Sequence, residues 1–132
     1  MPTGPIVQEM RFRNSVMQME GLAHEIGAVT TVSEAGTLNK MVGLVTTNTL
    51  DAAAGATETI VITNDKIAAG DWASATIVGK VGTGTPVIST AICTANTLTV
   101  IIQNIHASAA FTGALTIAFE IRKKLTNIVI GS

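Results

Sequence analysis

Charge is the first thing this sequence lacks. Lys, Arg, Asp and Glu make up 13% of its 132 residues, about half the usual share of roughly 25%. Eight cations against nine anions leave a formal net charge of −1. No basic footprint exists for phosphate backbones, so no nucleic-acid partner is expected. Aromatic residues are also scarce, at 3%: Trp72, Phe12, Phe111 and Phe119, with no tyrosine. Sugar-binding surfaces built on several stacking rings are therefore disfavoured. The single cysteine, Cys93, excludes an intramolecular disulfide. It lies in the β-like run "VISTAICTAN" and reads as a small buried residue. No run approaches the roughly 18 apolar residues of a spanning helix, and no membrane partner is expected. The N-terminus "MPTGPIVQEMRFRNS" meets Glu9 and Arg11 before an apolar core develops, so the expectation is a soluble protein made in the cytoplasm.

Catalytic constellations are missing too. His24 and His106 are far apart, and neither has Cys, Asp or Glu at ligand spacing; Glu25 merely adjoins His24. "GTGTP" lacks the lysine and following helix of a phosphate loop, and no G-x-S-x-G occurs. Asp51, Asp65 and Asp71 fall in turn-like segments and read as turn formers. Nothing singles out an Asp/Glu pair for glycoside hydrolysis. The expectation is no enzyme, no metal and no cofactor.

What is present is Ala, Val, Ile, Leu and Thr, with 47% hydrophobic residues and a mean hydropathy of +0.47. From residue 37 the apolar period is two. In "ALTIAFEIR", Leu115, Ile117, Phe119 and Ile121 share one face; in "TLTVIIQ", Leu98, Val100 and Ile102 do. "ETIVIT", "WASATIVGK" and "TPVISTAICT" are further runs of β-branched residues suited to a pleated surface. Gly-, Asn- and Asp-rich turns separate them, and Pro86 suits a strand start. At least six strands without a long helical pattern predict an all-β fold: an antiparallel β-sandwich or jelly roll over residues 37–132.

Residues 1–36 differ, holding four of the five methionines together with Arg11 and Arg13. Their helical spacing is broken, and they read as an extended N-terminal arm. Such an arm either wraps its own domain or docks on another chain, and adaptable methionines suit the second role. The segment from Thr97 to Phe119 contains no charged residue. Strands with so little charge on either face imply large contacts between copies, hence a homo-oligomer. Trp72, His106 and Phe111 are the candidate interface residues; Trp72 also fits a core, and His106 a loop that bonds backbone. Arg122, Lys123 and Lys124 read as a solvated strand end, and the apolar tail "LTNIVIGS" suits an added strand.

Two patterns then suggest a family. They are T-N-x-x-I-x-x-x-D followed by A-x-I, in "ATETIVITNDKIAAGDWASATI", and N-x-H-A-S-A-A-x-x-G-x-L-x-I-x-F, in "TLTVIIQNIHASAAFTGALTIAFEI". With "TLNKMVGLVTT" and "TPVISTAI", the stretch 37–124 resembles the capsid cement, or decoration, proteins of tailed bacteriophages. The resemblance implies a jelly-roll trimer at three-fold axes of the phage head, with the major capsid protein as partner and the outer capsid surface of the virion as location. The arm would then face the capsid, with Ile6, Val7, Met10, Phe12, Met17 and Met19 in apolar contact and Arg11 and Arg13 on acidic loops. No binding residue of the family matches a motif in the arm. Related β-modules form receptor-binding knobs of head and tail fibres, which is the alternative role; distal loops such as "NIHASAAFTG" or "VGTGTP" would then carry specificity.

Overall fold

The computed structural model describes residues 26–124. The expected arm residues Ile6, Val7, Met10, Arg11, Phe12, Arg13, Met17 and Met19 lie outside that range, as does the tail 125–132. The described chain forms ten strands: β1 Ile26–Thr30, β2 Ala35–Thr37, β3 Val42–Thr46, β4 Leu50–Ala52, β5 Thr57–Thr63, β6 Trp72–Lys80, β7 Pro86–Thr94, β8 Thr97–Asn104, β9 Phe111–Gly113 and β10 Leu115–Arg122. The fold is all-β, as the period of two predicts.

The uncharged segment is the organising element. β8, β9 and β10 run consecutively through the middle of the molecule. On one flank they pair antiparallel with β5, β4 and β3: Gln103 faces Thr57, Gly113 faces Leu50 and Thr116 faces Thr46. On the other flank they pair antiparallel with β7 and β6: Asn104 faces Pro86, and Leu115 faces Lys80. The body is thus one broad sheet folded across its middle, with the crease at β4 and β9. The result is a sandwich. The first sheet has the order β1-β3-β10-β6, the second β2-β5-β8-β7, and β4-β9 bridges them at the crease. A strand with partners on both edges and a core on one face has little room for charge, which explains the composition of 97–119.

Alternate side chains from both layers make the core. Ile60, Ile62, Leu98 and Ile102 from the second sheet meet Val45, Ile117, Phe119 and Ile121 from the first, with Leu50, Phe111 and Leu115 filling the crease. At the crease the backbones approach so closely that only glycine fits. A Cβ on Gly113 would lie 1.7 Å from the Val81 carbonyl oxygen, and one on Gly82, with φ +112°, 2.2 Å from the Thr112 carbonyl oxygen.

Two expectations need correction. The folded body does not begin at residue 37: β1 and β2 belong to it. Their short, glycine-containing segments show too little alternation to be read as strands alone. β1 pairs with β3 and β2 with β5, both in parallel. The sheets are therefore mixed, not purely antiparallel. The long edge strands each carry a register break, β6 between Ile77 and Gly79 and β7 between Ile88 and Thr90. Such bulges twist an edge away from further pairing.

Candidate interaction surfaces

The motif residues behind the family resemblance work inside the fold. Asn104 is fully buried at the crease. Its amide donates to the carbonyls of Ala52 (3.0 Å) and Ala109 (2.9 Å), and its Oδ1 accepts from the N–H groups of Thr85 (3.0 Å) and His106 (3.1 Å). One side chain therefore ties together three segments: the end of β4, Thr85 just before β7, and its own loop 104–109. At the opposite, open end Asn64 does a similar job, donating to the Lys40 carbonyl and accepting from the Lys66 N–H. Asp71, whose side chain is 1% exposed, accepts from the Lys123 ammonium and from the N–H groups of Ala68 and Lys124. The bond to Lys123 and the two backbone donors hold its carboxyl down to about 2. These residues close turns within the chain's own fold.

The three expected interface residues have different fates. Phe111 is buried completely in the chain's own core and has no surface to offer a neighbour. As the first residue of a short strand at the crease, it fills the space between the layers. His106 caps its own loop: Nδ1 accepts from the N–H groups of Ser108 (3.0 Å) and Ala109 (2.7 Å). Trp72 is 59% exposed at the start of edge strand β6, beside Arg122 of β10. The structure does not bring these three together into one patch.

The sheets present two different outer faces, which sequence reading could not separate before the register was known. Across the first sheet one row reads Ile26, Val42, Glu120, Ser74 and the next Ala28, Leu44, Ala118, Thr76. A shallow hollow of about 260 Å³ lies between Val42, Ser74, Thr76, Ala118 and Glu120. Glu120 pairs with Arg122 at 3.2 Å on this face. Exposed Ile26, Leu44, Trp72 and Val78 make it the more hydrophobic of the two.

The second sheet carries no charge on its outer face. One row is threonine in all four strands: Thr37, Thr63, Thr97, Thr94. The next is Ala35, Val61, Thr99, Ile92; then come Thr59, Ile101, Thr90, and finally Thr57, Gln103, Val87. The one acid of β5, Glu58, is half-buried on the other side of its strand. Burial, then the nearby carboxylate of Glu34, pushes its carboxyl above the ordinary range. Burial likewise raises the thiol of Cys93, which packs against the core.

Among the described residues no group of three or more His, Cys, Asp or Glu could hold a metal ion, and no helix is long and apolar enough to cross a membrane. Comparison with protein-family models, curated proteins and solved structures finds no match.

Proposed function

We propose that this chain is a structural virion protein of a tailed bacteriophage, a capsid decoration protein that binds the outer surface of the head as a homotrimer and holds neighbouring capsomers together. The structural observation that supports this reading best is the placement of the chain ends. The chain enters the body at Ile26, level with Val42 and Glu120, and leaves past Arg122 at the same open end. The Met-rich segment 1–25 is thus tethered at one end of a body whose buried polar groups are spent on its own turns. A rigid oligomer with several such tethers binds multivalently, so modest contacts per arm sum to a firm grip. Binding the assembled shell in preference to free subunits stabilises the shell by mass action.

Cryo-electron microscopy of purified virions tests the reading. Density repeated over the shell, with an arm running between capsomers, is expected. Density only at a vertex or a tail tip would overturn it in favour of a receptor-binding knob. Deleting residues 1–25 is expected to leave a folded oligomer that no longer decorates heads. Full-strength decoration by the truncated protein would sink the arm's role.

A further inference from the structure

We infer that the outer face of the second sheet is where copies of this chain meet. This deepens the proposed function, resting on its oligomeric form, and names a surface that none of Trp72, His106 and Phe111 belongs to.

Three observations carry it. The first is the absence of charge from the outward positions of all four strands, β2, β5, β8 and β7; Glu58 of β5 lies on the opposite side. Burying such a face against another protein desolvates no ion and leaves no carboxylate or ammonium needing a partner. The second is the chemistry of its rows. The row Thr37, Thr63, Thr97, Thr94 presents hydroxyls and methyls side by side. A threonine hydroxyl both donates and accepts, so it finds a partner in another threonine without requiring a complementary residue type. In a trimer each contact joins two different patches, and a threonine row accepts whichever polar or apolar group the neighbouring copy presents. Val61 and Ile92, 37% and 48% exposed, add apolar area on the neighbouring row. The third is where the ends lie. The chain enters on β1 and leaves after β10, both strands of the first sheet. Neither terminal segment starts beside the second face, whereas the first face, with its hollow and its Glu120–Arg122 pair, lies next to both.

The footprint sets the expected strength. Four strands about 4.8 Å apart and about seven residues long at about 3.3 Å each span on the order of 400 Å² of flat area. That is about half of the roughly 800 Å² per partner of a standard stable interface, so association through this face alone is expected to be weak and to depend on concentration.

The test is sedimentation of the full-length chain alone, from about 1 to about 100 μM, a range that spans weak to moderate self-association. The wild type is expected to sediment as an oligomer at the upper end and to dissociate on dilution. Ile92→Lys, on an edge strand and half-exposed, is expected to shift the dissociation constant by tenfold or more. Thr99→Lys, at the centre of the face, is expected to give a monomer throughout. Leu44→Lys, on the first sheet, is expected to keep the wild-type mass. Far-ultraviolet circular dichroism and a thermal melt of each variant separate lost association from lost fold, and Ile92→Lys decides the matter if Thr99→Lys fails to fold. A wild type that stays monomeric at the highest concentration would overturn the inference. So would an oligomer that both lysine variants leave intact. Neither result bears on whether virions carry the protein, which the microscopy decides separately.

Discussion

The two outer faces are cut from the same cloth and finished differently. Each long stretch of chain supplies one strand to each layer: 42–63 gives β3 and β5, 72–94 gives β6 and β7, and 97–122 gives β10 and β8. The layers share a core and a crease, yet among the described residues the first face carries an ion pair, a hollow and an exposed tryptophan, and the outward positions of the second carry no charge. The second is level rows of threonine and aliphatic side chains. Inward positions are fixed by packing and are alike in both layers. Outward positions answer to whatever lies beyond the chain, so the difference between them is where function is written.

The strongest way to break the comparison is to destroy both faces at once. Phe111→Ala empties the crease they share and is expected to cost about 3–5 kcal/mol in chemical denaturation. Asn104→Ala should cost about 2–3 kcal/mol by leaving four backbone groups in three segments without their partner. A loss below about 0.5 kcal/mol would mean that the segments hold without it.

A sharper test separates the ends by pH. Asp71 has its folded carboxyl depressed to about 2 from the usual 3.8. Its contribution is therefore complete above the unfolded value and is lost as pH falls from about 4 towards 2. Asp71→Asn should flatten the acid limb of a melting-temperature profile over that range; an unchanged limb would refute the role of the Lys123 and backbone bonds. Glu58 has the opposite sign. Its raised carboxyl binds the proton more tightly in the folded state, so lowering pH through its range adds stability. Glu58→Gln should change stability near neutral pH by less than about 0.5 kcal/mol, in the stabilising direction. Clear destabilisation would show that the carboxylate makes a bond the shift does not reflect.

Much of the fold was legible because alternation survives wherever one face of a strand is buried. "LTIAFEIR" and "TLTVIIQN" alternate cleanly and are β10 and β8. β1 and β2 were not legible: "IGAVT" and "AGT" carry few large side chains and take their conformation from β3 and β5. Asp71 was rightly read as a turn residue, and His106 does bond backbone. Phe111 was misplaced because a lone aromatic in a turn-rich stretch gives no sign of which way it points. The contrast between the faces was hidden for a different reason. Thr37, Thr63, Thr94 and Thr97 stand in four separate runs, and only the register aligns them into a row.

The central position of the last strands has a consequence for biosynthesis. A growing chain is threaded out N-terminus first, and here β8 and β10, which both flanks need, emerge after every strand they pair with. Until β8 and β10 emerge, β5, β3 and β6 have no antiparallel neighbour, and only the parallel edge pairs and isolated turns can form. Folding of the body must wait for β8 and β10 to emerge and then proceed through contacts distant in sequence, a slow route that leaves apolar strands uncovered in the meantime. The scarcity of charge that suits the finished surface makes that interval the most hazardous in the protein's life.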